Sequence, residues 1–161
     1  MYVKCFNFIP FFWNEVDGEK KSEDYKRYEF MSKEFADATL ALINSSIFFF
    51  YFTALGDCFH CGKRFVNTFP AGIDTLSSST QNAISKLGKK LMADMRKNAV
   101  RRSAFSKKTG RVKYDEFWPR YSKSIIDEID RILAKHYGFT DEELDFIINY
   151  DIKYRMGINT N

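Results

Sequence analysis

Histidine and cysteine are scarce in this chain: 2 of the first and 3 of the second among 161 residues. A structural zinc site wants four ligands, usually from two paired motifs. Cys58-Phe59-His60-Cys61 supplies one pair, and only Cys5 and His136 remain, so no metal site is expected. The CxxC also lacks the βαβ surroundings of thiol redox chemistry, which leaves Cys58 and Cys61 as small, semi-buried thiols. An odd and small cysteine count excludes a secreted disulfide framework and points to a reducing cytoplasm. G-x-S-x-G, a Gly-rich phosphate loop and H-E-x-x-H are all missing, so the sequence displays no active site of those classes. Met1 is followed by alternating residues rather than a basic region and an apolar run, so no signal peptide is expected. Internal repeats and low-complexity segments are also missing.

Charge is present, and unevenly spread. Residues 1–85 hold 8 basic and 10 acidic side chains, residues 86–123 hold 13 and 3, and residues 124–161 hold 4 and 8. The central block, net +10 between two acidic arms, would attract a polyanion through summed Coulomb forces and counterion release. A solvated helix face is the plainer explanation of such a block. Interleaved Tyr114, Phe117, Trp118 and Tyr121 strengthen the nucleic-acid reading, although core packing suits Phe117 and Trp118 better. The carboxylates Asp127, Glu128, Asp130, Asp141, Glu142 and Glu143 sit mostly opposite apolar arcs or at helix starts, a structural placement.

Ala38 to Gly56 runs for nineteen residues without a charge. A membrane span needs about 20 predominantly apolar residues, but Asn44-Ser45-Ser46 interrupts the run and no basic cluster flanks it. A buried helix broken at that triplet is expected, with no membrane partner. Ser32 caps its first half. Upstream, Tyr2–Ile9 reads as a strand, Val16–Glu19 as a hairpin turn and Tyr25–Phe30 as a returning edge strand. Downstream, Gly62–Phe69 reads as a short strand and 71–79 as a hinge loop. Gln81–Ser103 reads as an amphipathic helix, with Gly88 set for a close helix contact. Arg101, Arg102, Lys107, Lys108, Arg111 and Lys113 then continue the basic block through a turn at Thr109-Gly110. Ser124 is the candidate cap of a helix over 125–136, with Gly138 as its C′ residue. Thr140 and Glu143 form a capping box, with Phe139 and Leu144 at staple spacing, for a last helix ending near Tyr150. The fold class is α+β: a small antiparallel sheet near the N-terminus packed with helices, then a largely helical C-terminal half. One domain over 1–161 is expected, mixed over 1–75 and helical over 80–157.

Two stretches carry a family resemblance. Leu42-Ile43-Asn44-Ser45-Ser46-Ile47-Phe48-Phe49-Phe50, followed by Asp57 to Pro70 with Lys63-Arg64, resembles the target-recognition region of adenine-N6 DNA methyltransferases. The same region closes the fused restriction–modification proteins called type IIG. Ile125 to Asp130, His136 to Phe139 and Glu143 to Asp151 resemble the closing segment of those proteins, and both stretches stand in the family's order. The resemblance implies a sequence-specific double-stranded DNA recognition module, a piece of a larger enzyme. In that enzyme an upstream domain binds S-adenosylmethionine and carries Asn-Pro-Pro-Tyr, and some members add a magnesium-dependent nuclease. This chain holds neither Asn-Pro-Pro-Tyr nor a glycine-rich cofactor strand, so no catalytic residue, metal or cofactor is assigned to it. Met1 leading directly into a strand is what a domain boundary would give. Expected partners are duplex DNA and the upstream methyltransferase domain. The DNA-contact candidates are Lys63 and Arg64, from the family's basic pair, and Arg101, Arg102, Lys107, Lys108, Arg111 and Lys113, from composition. The rival reading is a protein-interaction module without DNA binding, its aromatic stretch docked on a partner.

Overall fold

A computed structural model describes residues 5–20, 25–152 and 155. Those described residues form six α-helices and one four-stranded antiparallel sheet, an α+β architecture. The helices α1 (Lys33–Ile43), α2 (Ser46–Leu55), α4 (Ser78–Lys97), α5 (Lys123–Tyr137) and α6 (Asp141–Asn149) enclose the core, with a single turn, α3 (Lys63–Val66), beside α2. The sheet order is β2 (Gly18–Glu19), β1 (Phe12–Asn14), β4 (Gly110–Glu116), β3 (Val100–Ser106).

Most of the uncharged run is core, with Ala54 and Leu55 at its end exposed. Phe48 and Phe52 of α2 are sealed among Leu42, Ile84, Leu91, Ile126, Ile129 and Leu133. No single helix among the described residues is long and apolar enough to cross a membrane. The axes of α1 and α2 are bent by 60° at the break between them.

The polar triplet explains the bend. Asn44, fully buried, donates from Nδ2 to the carbonyls of Cys5 and Leu40 and accepts the Cys5 amide on Oδ1. Ser45 accepts the Phe48 amide at 3.0 Å as the N-cap of α2, a contact worth about 1 kcal/mol. Asp130 of α5 accepts the Ser46 amide at 2.8 Å and the Ile47 amide at 3.4 Å, and Arg155 donates to the Ser46 hydroxyl. These bonds satisfy donors that a helix start leaves open, where the positive end of the dipole favours a carboxylate.

Gly88 sets the α1–α4 distance. A Cβ there would stand 2.2 Å from the Asp37 carbonyl oxygen, so only glycine lets the two backbones approach this closely. Gly138 closes α5 at φ 72°, and the Thr140–Glu143 capping box opens α6, both as the sequence implies.

Four expected elements differ. Residues 2–4 lie outside the described residues. Residues 5–9 form no strand, because Cys5 bonds the Asn44 side chain and Phe6 and Phe8 turn to Phe117 at 4.8 and 5.9 Å. The Asp17-Gly18 turn does close a hairpin, but its strands are Phe12–Asn14 and Gly18–Glu19; Tyr25–Phe30 is irregular. Gly62–Phe69 is helical over Lys63–Val66, since one turn lets Phe65 reach Tyr51 and Phe52 at 5.2 and 5.6 Å.

The expected helix over Gln81–Ser103 stops at Lys97, with Asn98 as its C-cap. Val100–Ser106 pairs instead with Gly110–Glu116, so the 80–157 part is not helical throughout. Ser122 rather than Ser124 occupies the N-cap position of α5, its hydroxyl donating to Asp94 at 2.7 Å. Cys58 is exposed at φ 57°, not semi-buried, and Cys61 is intermediate.

Candidate nucleic-acid interface

The two long strands form a basic ribbon. Lys107, Lys108 and Thr109 make its turn, closing on Gly110 at φ 70°, a backbone conformation suited to glycine at the end of such a loop. Arg101 to Phe105 are all exposed along β3. The joint to the helical body is aromatic: Phe117, buried just after β4, meets Phe6 and Phe8, and the Arg96 guanidinium lies 4.2 Å from the Phe8 ring centre.

Register decides which residues share a face. Arg101 stands opposite Asp115, Ser103 opposite Lys113, Phe105 opposite Arg111, and Lys113 opposite Trp13 of β1. Because side chains alternate across a strand, one face displays Arg101, Arg111 and Lys113 with Trp13 and Phe105. Phe105 is 79% exposed. The Arg101 guanidinium also lies 3.6 Å from the Phe11 ring centre, and Lys113 Nζ 5.2 Å from that of Trp13. Arg102 lies on the opposite face, level with Tyr114 and Phe12.

The ribbon thus gathers six of the eight candidate residues. Lys63 and Arg64 stand on α3 instead, where Lys63 Nζ lies 5.1 Å from the Tyr28 ring centre and Arg64 is exposed. The loop before α3 is an Asx turn: Asp57 accepts the amides of Phe59 and His60, and its second oxygen meets His60 Nδ1 at 2.8 Å. Those backbone bonds hold the Asp57 carboxyl down at about 2.

Part of the basic block has internal counterparts. Arg101 pairs with Asp115, Arg102 with Glu116 at 2.9 Å, and Arg111 with Glu15 at 3.8 Å. Lys90 and Lys123 pair with Glu128 and Asp127 of α5. The net charge of the block therefore overstates its unmet demand for an anion. Exposed pairs of this kind contribute only about 0–1 kcal/mol, so they can be exchanged for phosphate. Lys107, Lys108 and Arg64 make no ion pair among the described residues.

Sequence reasoning overlooked Phe11, Trp13, Glu15 and Phe105. Glu15 Oε2 accepts the Arg111 amide at 2.8 Å and locks the first hairpin to the ribbon. The available signal was the alternation in Arg111-Val112-Lys113-Tyr114 after Thr109-Gly110, a strand after a turn. Comparisons with protein-family models, with curated proteins and with solved structures return no match.

Proposed function

We propose that this chain is a duplex-DNA recognition module, the target-recognition part of a restriction–modification adenine-N6 methyltransferase of the type IIG kind. The observation that carries the reading is the hairpin that gathers Arg101, Arg102, Lys107, Lys108, Arg111 and Lys113 on β3, its turn and β4, at one edge of the four-stranded sheet. The major groove, about 12 Å wide, admits a two-stranded ribbon, and arginine is the commonest reader of guanine there. The β3–β4 hairpin is two-stranded toward its turn, past the β1 pairing at Val112–Tyr114. Lys107 and Lys108 at the turn would hold phosphates, which position the protein without reading sequence. Arg101 and Arg111, which share one face, would contact base edges, released from carboxylates that keep their side chains extended meanwhile, and Arg102 on the other face would hold backbone. Lys63 and Arg64 would hold flanking backbone.

Methylation inside a duplex requires the adenine to be flipped out, at a cost of a few kcal/mol. A module that grips the flanking duplex offsets that cost. Methyl transfer, S-adenosylmethionine and any magnesium belong in this reading to the upstream domain of the parent enzyme, because the motifs that hold them are missing from this sequence. A cytoplasmic setting suits the free thiols of Cys5, Cys58 and Cys61.

Selection from a randomised duplex library tests the reading. The expected result is enrichment of a defined motif that is lost with Arg101→Ala/Arg111→Ala. Recovery of unbiased sequence would reduce the module to non-specific binding, and recovery of no DNA would favour the protein-interaction reading.

A further inference from the structure

Away from the ribbon, α2, α5 and α6 leave an open trough of about 640 Å³ between them. Its walls include Ile47, Phe50, Tyr51, Phe69, Phe139 and Phe146. Phe50 ties α2 to α6 through edge contacts with Phe146 at 5.8 Å and Tyr150 at 5.1 Å, and Tyr51 and Phe69 meet at 4.9 Å. The two tyrosine hydroxyls of the lining are already engaged, Tyr51 with the Thr68 carbonyl and Tyr137 with that of Ala71. Glu143 is engaged too, accepting the Thr140 amide.

Two observations define what fits. The apolar surface does not end at the trough but continues over its rim, where Leu55 is 69% and Phe146 59% exposed. An extended apolar rim suits a polypeptide laid across two helices rather than a small molecule sealed within. The rim is also acidic. Glu142 lines the trough, Asp141 and Asp145 are exposed on the same short helix, and no basic residue lines it. Glu142 and Asp141 make no ion pair among the described residues.

We propose that this trough docks an amphipathic helix of a partner polypeptide, with bulky apolar residues along one stripe and lysine or arginine beside it. Such helices enter apolar grooves through anchors at i, i+3, i+4 and i+7. Side chains from the stripe fill the space between Phe50, Phe69 and Phe146, and the flanking cations meet Asp141, Glu142 and Asp145. The surface differs in place and in charge from the basic ribbon, so this inference does not depend on DNA binding.

The test uses the full chain and two labelled synthetic helical peptides with the same leucine stripe, one with lysine and one with glutamate at the remaining positions. Fluorescence anisotropy is expected to show saturable one-to-one binding of the lysine peptide, with the glutamate peptide weaker by about tenfold or more. Phe146→Ala should weaken the lysine peptide by about tenfold, and Glu142→Lys should narrow the gap between the two peptides. Both positions are exposed, so far-ultraviolet circular dichroism should be unchanged in both variants. No saturable binding, equal binding of the two peptides, or indifference to Phe146→Ala would each overturn the proposal. So would binding of dodecylammonium at the trough with no binding of either peptide.

Discussion

Asp130 shows how a single buried residue shapes the whole chain. Burial pushes its carboxyl up to about 6, against the opposing pull of the Ser46 hydrogen bonds and the Arg155 charge. The ordinary carboxyl value is 3.8, so between these two values the folded state holds a proton that the unfolded chain has released. Stability from this group is therefore complete below the lower value and is lost as pH rises through the upper one. Urea unfolding between pH 4 and 7 should show wild-type stability declining more steeply than that of Asp130→Asn, which keeps an acceptor for the Ser46 amide and cannot ionise. Parallel curves would contradict the assignment. Sequence alone grouped Asp130 with carboxylates that sit mostly opposite apolar arcs or at helix starts, because its packing depends on an α2 start 84 residues away.

At the scale of elements, the ribbon and its joint have separate jobs. Lys107 and Lys108 are exposed and make no ion pair among the described residues, so replacing both with alanine should leave stability within about 0.5 kcal/mol of wild type. Phe117→Ala removes a buried ring from the joint with Phe6 and Phe8 and should cost about 3 kcal/mol, read as a lower urea midpoint. Equal effects from the two changes would mean that the turn, not the aromatic joint, holds the ribbon in place.

These elements also mark the limits of reading by pattern. Local signals named the capping box at Thr140, the left-handed Gly138 and the break at Asn44, each marked within a few residues, and a glycine near an apolar helical arc was enough to suggest the close approach at Gly88. The ribbon was hidden because the apolar arc of α4 runs on through Ala99, and what ends it is the pairing of Val100–Ser106 with Gly110–Glu116. For the candidate site, the residues were legible as a basic block but their grouping was not. Only the register places Arg101, Arg111 and Lys113 on one face and Arg102 on the other.

The molecule as a whole is a helical body with a cationic ribbon at one place and an acid-rimmed apolar trough at another. In the proposed function the ribbon meets the phosphates of duplex DNA, and counterion release gives that contact a direct readout. Each phosphate held by a cation steepens the fall of log affinity with log salt by about one unit. The decisive measurement is duplex affinity across a salt series for the wild-type chain and for Lys107→Ala/Lys108→Ala. A steep negative slope in the wild type, shallower by about two units in the variant, is the predicted result. A flat wild-type response, or the same slope in both proteins, would contradict it.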